Sequence, residues 1–251
     1  MIEIKDIHKS FDGSQILKGI STTFERGKTN LIIGRSGSGK TVFIKCMLGL
    51  HTPEKGDIEF DGRDFVHMGY KDRQNIRQEI GMVFQGGALF DSMNVEENVM
   101  FPINMFSGMS KSEKMDRVNS CLARVNLENV NKLMPSEISG GMQKRVAIAR
   151  AIVMEPKYLF CDEPNSGLDP NTAIVIDNLV QEITQDLSIT TVINTHDMNS
   201  VMEIGEKIVF IKEGHKAWEG TKDEILTSSN QDLNDFIFSS ELFRKIKNSV
   251  S

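Results

Sequence analysis

The chain has 251 residues, 39% of them hydrophobic and 25% charged, and a formal net charge of −6. That balance is ordinary for a folded domain and does not indicate disorder, and the chain shows no internal repeat or low-complexity block. The acidic excess disfavours a broad nucleic-acid surface, so nucleic acid is not an expected partner.

No stretch approaches about 18 consecutive apolar residues, so no segment is expected to span a bilayer. The first residues, MIEIKDIHKS, lack the long apolar core of an export signal. Cys46, Cys121 and Cys161 show no paired spacing, which points to a reducing compartment.

Over the first 65 residues or so, short strand-like runs alternate with turns. They are Ile2, Ile4 and Ile7, then Ser21 to Phe24, then Asp57 to Phe60 before Asp61-Gly62. These read as antiparallel strands beside a further strand at Thr29 to Ile33 (TNLII). That strand feeds GRSGSGKT, Gly34 to Thr41, and then Thr41 to Leu50, whose apolar residues lie close to helical spacing.

The segment fits the phosphate-loop pattern G-x-x-x-x-G-K-[ST], with Gly34, Gly39, Lys40 and Thr41 at the required positions and Arg35, Ser36, Gly37 and Ser38 between them. Glycines let the backbone curl so that successive N–H groups and the helix N-terminus face an anion. Lys40 is then placed for the β- and γ-phosphates of ATP, and the Thr41 hydroxyl for Mg²⁺. A flexible Gly/Ser turn without a ligand would not need the strand before it and the helix after it.

Ile80 to Phe84 reads as a strand closing at Gln85, and residues 95–155 are helical in pattern. Ser110-Lys-Ser-Glu113 has the form of a capping box opening a helix toward Val125, and Ser139 is placed to cap the next. Tyr158 to Cys161 is an apolar run ending in Asp162 and Glu163, as expected of a buried parallel strand with ligand groups at its carboxyl end. Neighbours on a strand point to opposite faces, so the two acids should have separate jobs. Asp162 suits Mg²⁺, and Glu163 suits orienting the attacking water.

Thr190 to Asn194 and Lys207 to Ile211 then alternate with helices, giving a parallel α/β core with an inserted helical lobe. In the tail, Asp232 to Phe238 and Glu241 to Lys247 are weaker helical segments. Phe236, Phe238 and Phe243 make the tail more apolar than a free end requires. It is expected either to dock on this domain or a neighbouring subunit, or to fray.

The stretch ISGGMQKR, Ile138 to Arg145, resembles the signature L-S-G-G-Q-x-x-R of ATP-binding cassette proteins, with Ser139, Gly140, Gly141 and Arg145 matching and Met142 in place of glutamine. The resemblance covers about Ile2 to Leu226. It implies a P-loop NTPase fold with a RecA-like parallel sheet core, an antiparallel β subdomain and an inserted helical subdomain. The implied boundaries are 1–226 for the ATPase domain, about 95–155 for the helical subdomain and 227–251 for a helical tail.

The resemblance also implies roles. Gln85 contacts Mg²⁺ or the attacking water, His196 the γ-phosphate, and Phe11 the adenine ring, with Ile16 as an apolar wall. Ser166-Gly-Leu-Asp169 lines a dimer interface, and Ser139 to Met142 face a nucleotide held by the other subunit. It implies ATP hydrolysis by a homodimer at the cytoplasmic face of the inner membrane, peripheral to an integral membrane permease.

A finer resemblance lies in Gln85-Gly-Gly-Ala-Leu-Phe-Asp-Ser-Met93, in Asn94 to Val99 and in the methionine after the two glycines. These are similar to the ATPases of phospholipid transporters that work with Mce-domain proteins, and they leave room for a small cytoplasmic regulatory subunit. The rival expectations are a cassette for amino acids or another small solute, and a non-transport cassette such as an iron–sulfur assembly factor. The long coiled-coil insertion of DNA-repair cassettes and the paired cassettes of ribosomal ones are not seen.

Overall fold

The computed structural model describes residues 1–238. In chain order they form β1 (Ile2–Phe11), β2 (Ser14–Phe24), β3 (Thr29–Ile33), α1 (Lys40–Met47), β4 (Lys55–Phe60), β5 (Arg63–Asp64), α2 (Tyr70–Gln78) and β6 (Ile80–Val83). Then come α3 (Val95–Phe106), α4 (Lys111–Arg124), a 3₁₀ turn at Pro135–Glu137, α5 (Gly140–Ile152), β7 (Tyr158–Asp162), α6 (Pro170–Asp186) and β8 (Thr190–Asn194). The described chain closes with α7 (Met198–Ile204), β9 (Lys207–Lys212), β10 (His215–Gly220), α8 (Lys222–Thr227) and α9 (Gln231–Ile237). The chain divides into two compact units, one built from Met1–Gly69 and the chain from Asn194 onward, the other from Tyr70–Ile193.

In the first unit the antiparallel sheet has the order β2-β1-β4-β5. Asp12-Gly13 closes the β1–β2 hairpin with both residues at positive φ, the geometry a two-residue turn needs to match strand twist. Contrary to expectation, these strands do not lie in one sheet with β3. The phosphate-loop strand instead pairs in parallel with β9, and β10 runs antiparallel on the other side of β9. The composition explains the separation. All five residues of β3 are buried, as in a strand covered on both faces, whereas β1 and β2 mix buried with half-buried and exposed positions.

The described part of the tail, up to Phe238, docks on this unit. Leu233 and Ile237 of α9 are buried, Phe236 stacks on Phe210 of β9 at 5.2 Å between ring centroids, and Asp232 pairs with Lys212 at 2.6 Å. The expected helix at Glu241 to Lys247, with Phe243, lies outside the described residues.

The second unit holds the strand order β8-β7-β6, with β6 and β7 parallel in the register Val83↔Cys161. Between β6 and β7 the chain is helical, and α3, α4 and α5 pack on one another. On α3 the fully buried Val95, Val99 and Ile103 recur every four residues, the stripe that a packed helix presents. Ser110 and Glu113 form the reciprocal capping box expected at the start of α4, whose C-cap is Val125.

Candidate active site

The predicted residues fall in both units. In the first, β3 runs into the loop Gly34–Gly39 and then into α1. Gly34 sits at φ +152°, and a Cβ there would come within 2.3 Å of the Ile211 carbonyl oxygen and 2.7 Å of Ser38 Oγ, so only glycine fits. Lys40 is 7% exposed and folds back over the loop, its ammonium donating to the carbonyls of Gly34 at 2.7 Å and Arg35 at 3.1 Å.

Two features mark the loop as built for an anion. Ser38 Oγ is buried without a hydrogen-bond partner. Helices α3 to α6 each carry a side-chain cap, whereas α1 begins on Gly39 with none, which leaves its first N–H groups to a ligand. Triphosphate fits this cradle. The Thr41 hydroxyl on α1 of the first unit and the Asp162 carboxylate at the end of β7 in the second are each a hard oxygen donor of the kind Mg²⁺ prefers.

Ile16 belongs to the same neighbourhood, since its carbonyl oxygen lies 3.3 Å from where a Gly39 Cβ would stand. Phe11 ends β1 with its ring 39% exposed, edge-on to His51 at 5.0 Å and with the Lys9 ammonium 5.1 Å from its centroid. His196 is exposed and follows Thr195, whose N–H bonds to the Ile32 carbonyl. That bond puts the histidine beside the end of β3 from which the phosphate loop departs.

The second unit brings Gln85 and Glu163 together. Because β6 and β7 are parallel and in register at Val83↔Cys161, the residues two places further on emerge side by side. The Gln85 amide donates to Glu163 Oε2 at 2.7 Å, with Ser166 Oγ at 3.4 Å. The expected reason for dividing labour between the two acids needs correction. β7 stops at Asp162 and Glu163 turns to φ +47°, so a left-handed residue, and not strand alternation, sends its carboxylate toward Gln85.

Ser139 caps α5, accepting the Met142 N–H at 3.3 Å, and leaves Gly140 exposed at the helix tip. The Gln143 amide binds the carbonyls of Pro135 at 2.9 Å and Ile138 at 3.4 Å, so it does not replace the signature glutamine lost at Met142. Asp169 caps α6 through the N–H groups of Asn171 and Thr172 at 3.1 Å. The Thr172 hydroxyl, then the Thr172 N–H, hold its carboxyl below the usual range.

Sequence reasoning passed over Asn98. It is fully buried on α3 and knots the GGALFDSM loop: Oδ1 accepts the Phe90 N–H at 2.8 Å, and Nδ2 donates to the carbonyls of Phe90, Met93 and Asn94 within 3.1 Å. Asn98→Ala orphans those groups, and although alanine is the better helix former, the protein is expected to lose about 3 kcal/mol of stability. Urea unfolding of the variant against wild type measures it.

Residues 17–166 match the sequence profile of the ABC transporter family. The chain belongs to that family. Its cassettes hydrolyse ATP, and the fold described above is the cassette fold. A solved dimeric ATP-binding cassette in a post-hydrolysis state with ADP and Pi has a TM-score of 0.79 and 30% identity, covering 88% of this chain and 99% of that one.

Among curated relatives, the probable ribonucleotide transport ATP-binding protein mkl of Mycobacterium tuberculosis is 37% identical over 236 residues, 94% of this cassette. This cassette spans 66% of that protein's length. The methionine import ATP-binding protein MetN of Clostridium tetani is 40% identical over 90% of the cassette and 71% of its own length. Protein Trigalactosyldiacylglycerol 3, chloroplastic, of Arabidopsis thaliana is 36% identical over 94% of the cassette and 73% of its own length. Among the described residues, no helix of the cassette is long and apolar enough to cross a membrane.

Proposed function

We propose that this chain is the ATP-hydrolysing subunit of a transporter that moves phospholipid or a related hydrophobic lipid through a separate membrane permease, coupled to an Mce-type protein. Lys40 and the loop N–H groups hold the phosphates, and Phe11 and Ile16 receive the base. Glu163 aligns water for in-line attack, and His196 steadies the γ-phosphate. Thr41, Asp162 and Gln85 are the residues that would hold Mg²⁺, which neutralises phosphate charge when bound. Ser139, Gly140, Gly141 and Met142 serve the nucleotide of a second copy, so that ATP bridges a head-to-tail homodimer, with Asp169 in the loop at its interface.

The observation that carries the transport reading is a groove of about 400 Å³ beside the GGALFDSM loop, floored by Phe84, Phe90, Phe101, Pro102 and Phe106. Phe84, Phe90 and Phe106 are each at least 40% exposed, and an aromatic-lined groove of this kind suits a short apolar helix of a membrane partner. The lipid cargo rests on the GGALFDSM resemblance, on Met142 and on the glycolipid name of the Arabidopsis relative. The 40% identity to a methionine importer favours a second reading, amino-acid import.

Co-expression with a multispanning permease and an Mce-type protein, followed by detergent purification and lipid analysis, tests the choice. Phospholipid carried by the intact complex is the expected result. Recovery of soluble partners alone overturns the transporter reading, and ATP-driven methionine uptake replaces the cargo.

A further inference from the structure

Lysine is almost never buried unless its charge is met, yet Lys144 of α5 is 7% exposed. Its ammonium donates to the main-chain carbonyl of Gln85. Arg150, on the same helix, donates to the carbonyls two and three residues further on, Gly87 at 2.7 Å and Ala88 at 2.8 Å, and its guanidinium also lies 5.8 Å from the centre of the Phe90 ring. Gly87 is buried, and carbonyls of a loop outside any sheet need partners of this kind. Residues 85–88 are therefore strapped to α5 by cation-to-carbonyl bonds, the stronger class of hydrogen bond.

The strap leads to the reaction centre. Gln85, held by its main chain, spends its side-chain amide on Glu163. Burial pulls Lys144 below the ordinary lysine range, and the nearby Glu163 carboxylate opposes that pull. Two hydrogen bonds thus link Lys144 through Gln85 to Glu163, and the path is anchored on the 13-residue helix that begins at Gly140, just after the Ser139 cap.

We infer that Lys144 is a positioning residue for ATP hydrolysis: it fixes the main chain at Gln85 and, through the Gln85 amide, the orientation of the Glu163 carboxylate. This deepens the proposal above and rests on its assignment of Glu163. It gives the signature helix a rigid route to its own subunit's water-orienting carboxylate, independent of the helix tip offered to a second copy.

The full-length protein is compared as wild type, Lys144→Met, Lys144→Arg, Gln85→Ala and the Lys144→Met/Gln85→Ala double variant. Lys144→Met is expected to lower kcat about 100-fold, the cost of about 1 Å of misplacement. KM for ATP and the affinity for a fluorescent ATP analogue stay within about twofold. Lys144→Arg, which keeps a charged donor, recovers most of the turnover. The double variant loses little more than the worse single one, because both act through the same contact. Hydrogen–deuterium exchange over residues 84–90 rises about tenfold in Lys144→Met and not in Lys144→Arg.

Wild-type turnover in Lys144→Met, fully additive losses, or unchanged exchange over 84–90 would each overturn the inference. Should Lys144→Met not fold, Lys144→Ala, which also removes the donor and favours the helix, takes its place with the same expectations. Glu163→Gln belongs in the same series. If it matches wild type, or if wild type hydrolyses nothing, the assignment of Glu163 fails, while the exchange measurement, which needs no turnover, still decides whether Lys144 holds the loop.

Discussion

Glu163→Gln binds ATP with wild-type affinity and turns it over about 100-fold or more slowly, the usual scale for loss of a positioned general base. The substitution keeps the size of the side chain and exchanges one oxygen for a nitrogen that cannot accept a proton from water. The fold has little reason to respond. Glu163 is half-buried at φ +47°, a conformation glutamine tolerates as well as glutamate, and the Gln85 amide can still donate to the remaining oxygen. The phosphate loop is built from other residues, so affinity has no route to change. Steady-state ATPase assays beside equilibrium nucleotide binding separate the two quantities. A variant with near-normal turnover removes Glu163 from the role of water-orienting base, and one with weakened binding points to a disturbed fold.

Much of this site was legible in the chain because its parts depend on local rules. A β-branched run before GRSGSGKT dictates strand, loop and helix in one short segment, and β3 spans the predicted residues Thr29–Ile33. Ser110 with Glu113, and Ser139 at the head of its helix, satisfy backbone donors three residues away, which a local pattern can announce.

What stayed hidden depends on distant segments or on a single torsion. Pairing of β3 with β9 joins residues far apart in sequence, so the alternation of β1, β2 and β4 could not say which sheet they join. The left-handed turn at Glu163 leaves no mark on the apolar run Tyr158 to Cys161 that precedes the two acids. Lys144 and Asn98 look like ordinary polar helix residues until the 85–93 loop is laid against them, because their importance lies in carbonyls that carry no sequence signal.

Lys40→Ala has the opposite signature, a loss of binding itself. The ammonium is nearly enclosed by its own loop and donates to the carbonyls of Gly34 and Arg35, at the turn where the phosphates are expected. Removing it subtracts a charge-assisted contact of about 1.5 to 3 kcal/mol, so ATP affinity should fall roughly 10- to 100-fold. ADP affinity should fall with it, since a lysine that spans the β- and γ-positions still meets the β-phosphate. Lys40→Arg should rescue poorly: a planar five-donor guanidinium cannot fold into a pocket shaped around a single ammonium between two carbonyls.

Isothermal titration of both variants with ATP and ADP supplies the numbers, and thermal unfolding without nucleotide controls for the loop's own integrity. If Lys40→Ala keeps its affinity and loses only turnover, the lysine contributes in the transition state alone. The phosphates would then be gripped by what remains at this turn, the uncapped N–H groups of α1 and the orphaned hydroxyl of Ser38.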